Sequence, residues 1–169
     1  VENDPQGGLS MLKEAAELQA VPAYVMLATV NMLAMAKLKQ DFGTAAGWLE
    51  KAALEQRADA RNALGMFKLF GLGVEQDGEE AVKLLTLSAQ QGDASAHFNL
   101  GIIHVFYPEK LMQKLGISLE QNLTKGMMHL KFASEKVSFS DKLHKNAVLV
   151  WNFLSRHQHP GAGTFPGYV

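Results

Sequence analysis

The sequence predicts an all-α chain, an α-solenoid of antiparallel helix pairs. Three observations carry that expectation. First, Ala58-x-Ala60-x-x-x-Leu64-Gly65 returns as Ala94-x-Ala96-x-x-x-Leu100-Gly101, each matched pair 36 residues apart. A fixed period in this range marks a repeat array. Second, apolar residues recur at helical spacing in successive stretches, as at Leu9, Leu12, Ala16 and Leu18. Third, Gly71-x-Gly73 stands between two such stretches, where one helix must end and the chain reverse. One helix pair cannot bury its own apolar face, and stacked neighbours can.

The elements follow in order. Val1 to Gly8 is polar and turn-rich and reads as a loose lead-in to a helix over 9–20. Pro22 fits the first turn of the next helix, where its missing N–H costs little, and that helix is expected to run to about Lys37. Lys39 to Gly43 is the turn, and Thr44 is the expected N-cap of a helix over 45–56. Helices over 58–70 and 79–91 flank the Gly-x-Gly turn. Gly92-Asp93 reads as a helix end followed by an N-cap for a helix over 94–106, which Tyr107-Pro108 stops. A short helix over 109–115, a repeat helix over 125–136 and a terminal cap helix over about 141–156 complete the array. The array spans 1–156, with units at about 9–41, 42–77 and 78–115 and a partial unit with cap over 116–156; residues 157–169 form a Gly/Pro/His-containing tail.

The copies decay outward. Leu12-Lys13-Glu14-Ala15-Ala16 aligns with Leu49-Glu50-Lys51-Ala52-Ala53 at 37 residues, and Gln40-Asp41 with Gln76-Asp77 at 36. Gly116-Ile117 stands where Gly73-Val74 stood, now offset by 43, so Tyr107 to Leu115 reads as an insertion in the turn. With Gly71-x-Gly73-Val74, Asp77 and Trp48-Leu49-Glu50-Lys51-Ala52-Ala53, this pattern resembles the Sel1-like repeat, a relative of the tetratricopeptide repeat. The resemblance implies a superhelix of helix pairs and a protein–protein interaction module or adaptor that binds a partner peptide or protein and catalyses nothing. Cysteine-rich relatives are associated with penicillin binding and weak β-lactamase activity, which gives the alternative, a small-molecule-binding or weakly hydrolytic repeat protein. Those relatives carry a disulfide in each repeat, and this chain has no cysteine.

Composition narrows the classes. At 169 residues the size is that of one domain, with 47% apolar and 20% charged residues. A net charge of −1 from 16 basic and 17 acidic residues argues against nucleic acid or an anionic membrane surface as the partner. Ala20 to Met35 comes nearest to a membrane helix, but Pro22, Thr29 and Asn31 interrupt it. The chain has no secretory signal at Val1 and does not begin with methionine, which reads either as a processed mature protein or as an excised segment, and the lack of a leading helix in its first unit favours excision.

No catalytic motif emerges: neither G-x-S-x-G nor H-E-x-x-H occurs, and Gly71-Leu72-Gly73 lacks the strand and the Lys-Ser/Thr of a phosphate loop. His157 and His159 are close enough to share a metal but have no third ligand at a matching spacing, so neither a metal nor a cofactor is expected. His97, His104, His129 and His144 are scattered across helices.

If the tetratricopeptide geometry carries over, the first helix of each pair lines the concave side. The groove positions are then Asn62, Met66, Leu69 and Phe70 in the middle unit, Phe98, Ile102, Val105 and Phe106 in the next, and Val25, Thr29, Met32 and Leu33 in the first. An apolar column needs a cover: tight curvature, a partner's apolar segment, or the chain's own tail through Phe165 or Tyr168. At the family's usual Tyr position stand Asn31, Lys68 and His104, which reads either as drift on a partly buried surface or as a line of donors for a partner's backbone or carboxylate. Self-association through exposed array ends is the third reading.

Overall fold

The computed structural model describes residues 4–36 and 38–136, together with 145, 149 and 150. The terminal cap helix falls mostly outside these residues, and the tail, with His157, His159, Phe165 and Tyr168, wholly so. Among the described residues every regular element is helical: α1 (Pro5–Glu17), α2 (Val21–Met32), α3 (Phe42–Leu54), α4 (Ala58–Phe70), α5 (Gly78–Gln90), α6 (Ala94–Phe106), α7 (Glu109–Lys114) and α8 (Leu123–Glu135). Packing separates two compact units, Val1–Leu84 and Leu85–Val169, with the boundary inside α5.

Asx side chains set the starts of α1, α3, α5, α6 and α8, whereas α2, α4 and α7 begin without a side-chain cap. Asp4 accepts from the amides of Gln6 and Gly7, so α1 begins at Pro5 and takes in the Gly-Gly segment expected to be loose. Asp-Pro here serves as N-cap and first helical residue, a use of proline that needs no amide. Asp41, not Thr44, caps α3: its carboxylate accepts the Thr44 amide at 2.9 Å and the Thr44 hydroxyl at 2.6 Å, and the helix starts three residues earlier than expected. Asp77 takes the Glu80 amide, Asp93 the Ala96 amide and Asn122 the Lys125 amide.

Glutamine side chains close the last turns of α2, α4 and α6. In unit 1, Gln40 donates to the Met32 carbonyl at 2.9 Å, and the Asp41 amide donates to Asn31. Gln76 donates to Leu69 at 2.9 Å, and the Asp77 amide to Lys68. Each Gln-Asp pair therefore satisfies the last carbonyls of one helix and caps the next. This stops α2 at Met32, short of the expected Lys37. Beyond it the chain turns through Ala34 and Ala36, both at positive φ. In unit 2, Gln121-Asn122 repeats the device, Gln121 donating to the Val105 carbonyl at 3.1 Å.

The core of unit 1 gathers Leu9 and Ala16 from α1, Ala23 and Leu27 from α2, Ala45, Leu49 and Ala52 from α3, and Leu64 and Phe67 from α4. Tyr24 stacks on Trp48 at 5.8 Å, and Phe67 meets Phe42 edge-on at 5.8 Å. Small alanines at the crossings let α2, α3 and α4 approach closely while the aromatics fill the gaps. Gly71 ends α4 in the left-handed region at φ 67°, and Gly73 follows at φ 66°.

In unit 2, α6 packs on α8. Met127 and Leu130 of α8 are buried against Phe98, Ile102 and Val105 of α6, and Val150 joins the same cluster. The crossing is close because both helices carry a glycine there: a Cβ at Gly101 would come within 2.6 Å of Leu130 Cγ and 3.2 Å of the Gly126 carbonyl. The insertion forms α7, whose Met112 is buried.

Candidate functional site

The first-helix positions do not share one environment. In α4, Phe70 is 49% exposed, Leu69 is fully buried, and Asn62, Met66 and Lys68 are half-buried. Leu69 therefore belongs to the core, because its side chain falls on the inward side of the last helical turn. In α2, Leu33 is exposed, while Val25, Thr29 and Met32 are half-buried. The Thr29 hydroxyl donates to its own helix at the Val25 carbonyl.

In α6, Phe106 is 44% exposed, and Phe98, Ile102 and Val105 are half-buried against Met127 and Leu130. Much of the apolar column in this unit is thus covered by the chain itself, through α8 and Val150; Phe165 and Tyr168 lie outside the described residues.

The expected polar line is split in the same way. Asn31 spends an amide hydrogen on the Leu27 carbonyl at 2.8 Å. Lys68 is half-buried, and His104 is buried at 6% exposure. A buried imidazole cannot hold a partner's backbone, so His104 leaves the set of contact residues.

His104 instead joins a cluster that sequence reasoning left scattered. His97 and His104 are seven apart on α6, one face of a helix, and His129 comes from α8. Nε2 of His97 lies 3.0 Å from the Ala89 carbonyl and must donate to it. The neutral ring then offers a lone pair at Nδ1, and Nδ1 of His129, 2.8 Å away, donates to it. Phe132 stacks on His97 at 3.9 Å between ring centres, and His104 lies parallel to His129 at 6.0 Å. His104 bonds the Glu120 backbone carbonyl, and its Nδ1 is buried with no partner in the structure.

All three rings are held toward the neutral form. Burial, joined by His97, His104 and Lys125, pushes His129 down to about 4. Burial, opposed by the Ala89 bond and aided by Lys136, lowers His97; burial and Lys125 lower His104. The seven-residue spacing on α6 was visible in the sequence, but the pairing of α6 with α8 that adds His129 was not. Among the described residues no group of three His, Cys, Asp or Glu side chains is placed to hold a metal ion. No described helix is long and apolar enough to cross a membrane.

The Sel1 repeat family model matches residues 21–56, 58–93 and 94–137. The chain belongs to the Sel1 repeat family. The three Sel1 repeats enclose α2 with α3, α4 with α5, and α6 to α8, the third lengthened by the α7 insertion. Two solved structures share this helical-repeat solenoid fold. A protective antigen of uropathogenic Escherichia coli with an SLR fold aligns at a TM-score of 0.74 and 22% identity, over 93% of this chain and 30% of the antigen. A Sel1 repeat protein from Oxalobacter formigenes aligns at a TM-score of 0.77 and 19% identity, over 97% of this chain and 60% of that protein. The chain thus spans under a third of the first and three fifths of the second. A comparison with curated proteins gave no match. Sel1 repeats generally mediate protein–protein interaction and are typically non-catalytic.

Proposed function

We propose that this Sel1 repeat chain is an adaptor module that takes a partner peptide or protein on the first helices of its repeats, with no catalytic step. The observation that carries the reading is the pair Phe70 and Phe106. Each is the last residue of the first helix of its repeat, the two are 36 residues apart, and both stand exposed. The exposed half of each ring gains nothing for folding, whereas buried against a partner it contributes about 25 cal/mol per Å² of apolar area before ordering costs. In α4, the half-buried Asn62, Met66 and Lys68 flank that anchor. In α6, Ile102 and Val105 do the same where α8 leaves them partly open.

The test is retention of a partner from source lysate by the wild-type chain and by Phe70→Glu, Phe106→Glu and the double variant, each first shown to keep wild-type helicity. Loss of a specific protein from the variants supports the reading. Equal retention by all four chains removes these helices as the contact surface.

Self-association is the second reading. Met11 on α1 and Leu18 at its C-cap stand exposed seven residues apart, an apolar pair outside the core of unit 1. Sedimentation at several concentrations separates it from the adaptor reading: a mass that rises with concentration and falls back in Leu18→Glu favours self-association.

A further inference from the structure

We propose that the seam between α6 and α8 is an acid-responsive release, in which proton uptake by His97, His129 and His104 loosens α8 from α6 and uncovers Phe98, Ile102 and Val105. The geometry leaves little room for added protons. The bridge between the two Nδ1 atoms holds one proton between two nitrogens, and Nε2 of His97 is already a donor to Ala89. Within the bridged pair, a first proton from solvent goes to the outer Nε2 of His129, which makes that ring a cation and keeps the bridge. A second, on Nδ1 of His97, sets two N–H groups against each other at a nitrogen separation of 2.8 Å and breaks it. A proton on Nδ1 of His104 enters a buried position where no acceptor stands.

The charges around the rings offer no relief. Lys125 on α8 and Lys136 at its end both disfavour the cations. Of the acids on the packed elements, Asp93 caps α6 and Glu135 pairs with Lys131 at 3.7 Å, and the contact from Glu120 is its backbone carbonyl. From α5 the contact is the Ala89 carbonyl. All six histidines of the chain lie in Leu85–Val169 and none in Val1–Leu84, so the response is confined to one unit.

The sign follows from linkage. A histidine near 6.5 when unfolded and held lower when folded binds fewer protons in the folded state. Stability is then complete above pH 6.5 and falls as the pH drops toward the folded value. For His129, held at about 4, the opening constant of the seam rises about 25-fold between pH 7.5 and pH 5.0.

Hydrogen–deuterium exchange of the full chain at those two pH values, corrected for intrinsic exchange, reads this directly. The expected result is a loss of protection of about 25-fold or more in α6 and α8, with α3 and α4 unchanged. An equal loss in α3 and α4, or none in α6 and α8, overturns the proposal. His129→Asn places an amide donor near the former Nδ1 without a titrating group, and should reduce the difference by about the 25-fold that His129 contributes. Should that variant lose helicity at pH 7.5, ring-resonance titration of the wild type decides. Values for His97 and His129 below 6.5 that track the loss of protection support the release, and values at or above 6.5 sink it.

Discussion

The side-chain amide of Gln121 donates to the backbone carbonyl of Val105 at 3.1 Å, closing the last turn of α6. Gln40 does the same for Met32 at the end of α2, and Gln76 for Leu69 at the end of α4. The acceptors are 37 and 36 residues apart, whereas the last two glutamines are 45 apart, because α7 is inserted between them. The cap therefore keeps its place in the repeat while its sequence spacing changes. Gln76→Ala should cost about 1 kcal/mol in chemical denaturation, the worth of one partly buried hydrogen bond, with the helical content kept. Asn122→Ala, which removes the N-cap of α8, should cost a similar ~1 kcal/mol.

Gly73 lies against the backbone at the start of α3. A Cβ there would fall on the Phe42 carbonyl carbon and come within 2.6 Å of its oxygen, and the residue sits at φ 66°. Backbone cannot step aside as a side chain can. Gly73→Ala should therefore be among the most damaging single changes in unit 1, about 3 kcal/mol or more, measured as a shift in denaturation midpoint at constant slope.

Two helical glycines should respond to alanine with opposite signs. At Gly101 the new methyl meets Leu130 at the α6–α8 crossing, so overpacking outweighs the gain in helix propensity and about 1–3 kcal/mol is lost. At Gly47, exposed within α3, nothing lies within 4 Å of the added Cβ. Gly47→Ala should gain up to about 1 kcal/mol, and thermal denaturation of the two variants side by side checks the contrast.

Leu69 and Phe70 are neighbours with different duties. Leu69→Ala empties a fully buried position and should cost about 2–5 kcal/mol. Phe70→Ala, at a half-exposed position, should cost only about 1 kcal/mol. Under the adaptor reading it should nonetheless weaken partner binding. Stability and retention measured on the same two variants separate core from contact surface.

Acid should act on the two units unequally. Asp41 is held below the usual carboxylate range by the Thr44 hydroxyl and amide, so its contribution to unit 1 is present above the ordinary carboxylate value and fades only as the pH falls toward its lowered one. The histidine seam begins to lose stability already below pH 6.5. In a Trp151→Phe chain, fluorescence of Trp48, packed on Tyr24 in unit 1, should thus stay native-like at pH 5 while protection in α6 and α8 declines.

Much of the fold was legible because it rests on short-range rules. The 36-residue return of Ala-x-Ala-x-x-x-Leu-Gly gave the period, and the bounds of α4 and α6 were read without error. Glycine 71 and 73 marked the turn because only glycine adopts positive φ there at no cost. The misread ends also obey local rules, but ones with two solutions. Asp41 and Thr44 are both good caps, and the choice went to Asp41 because its carboxylate takes both the amide and the hydroxyl of Thr44.

What the tertiary structure alone decided is which side of each helix faces inward and what lies opposite. Periodicity places Leu69 and Phe70, or Phe98 and His104, on a helix without saying where its neighbour crosses. The approach of α6 to α8 at Gly101 and Gly126 buries His104 and sets His129 opposite His97, residues 32 apart in the chain. Local chemistry fixes the repeat and its caps, because their partners are within reach along the backbone. The histidine seam and the division of the first-helix face into core and surface depend on a packing distance that no residue spacing encodes.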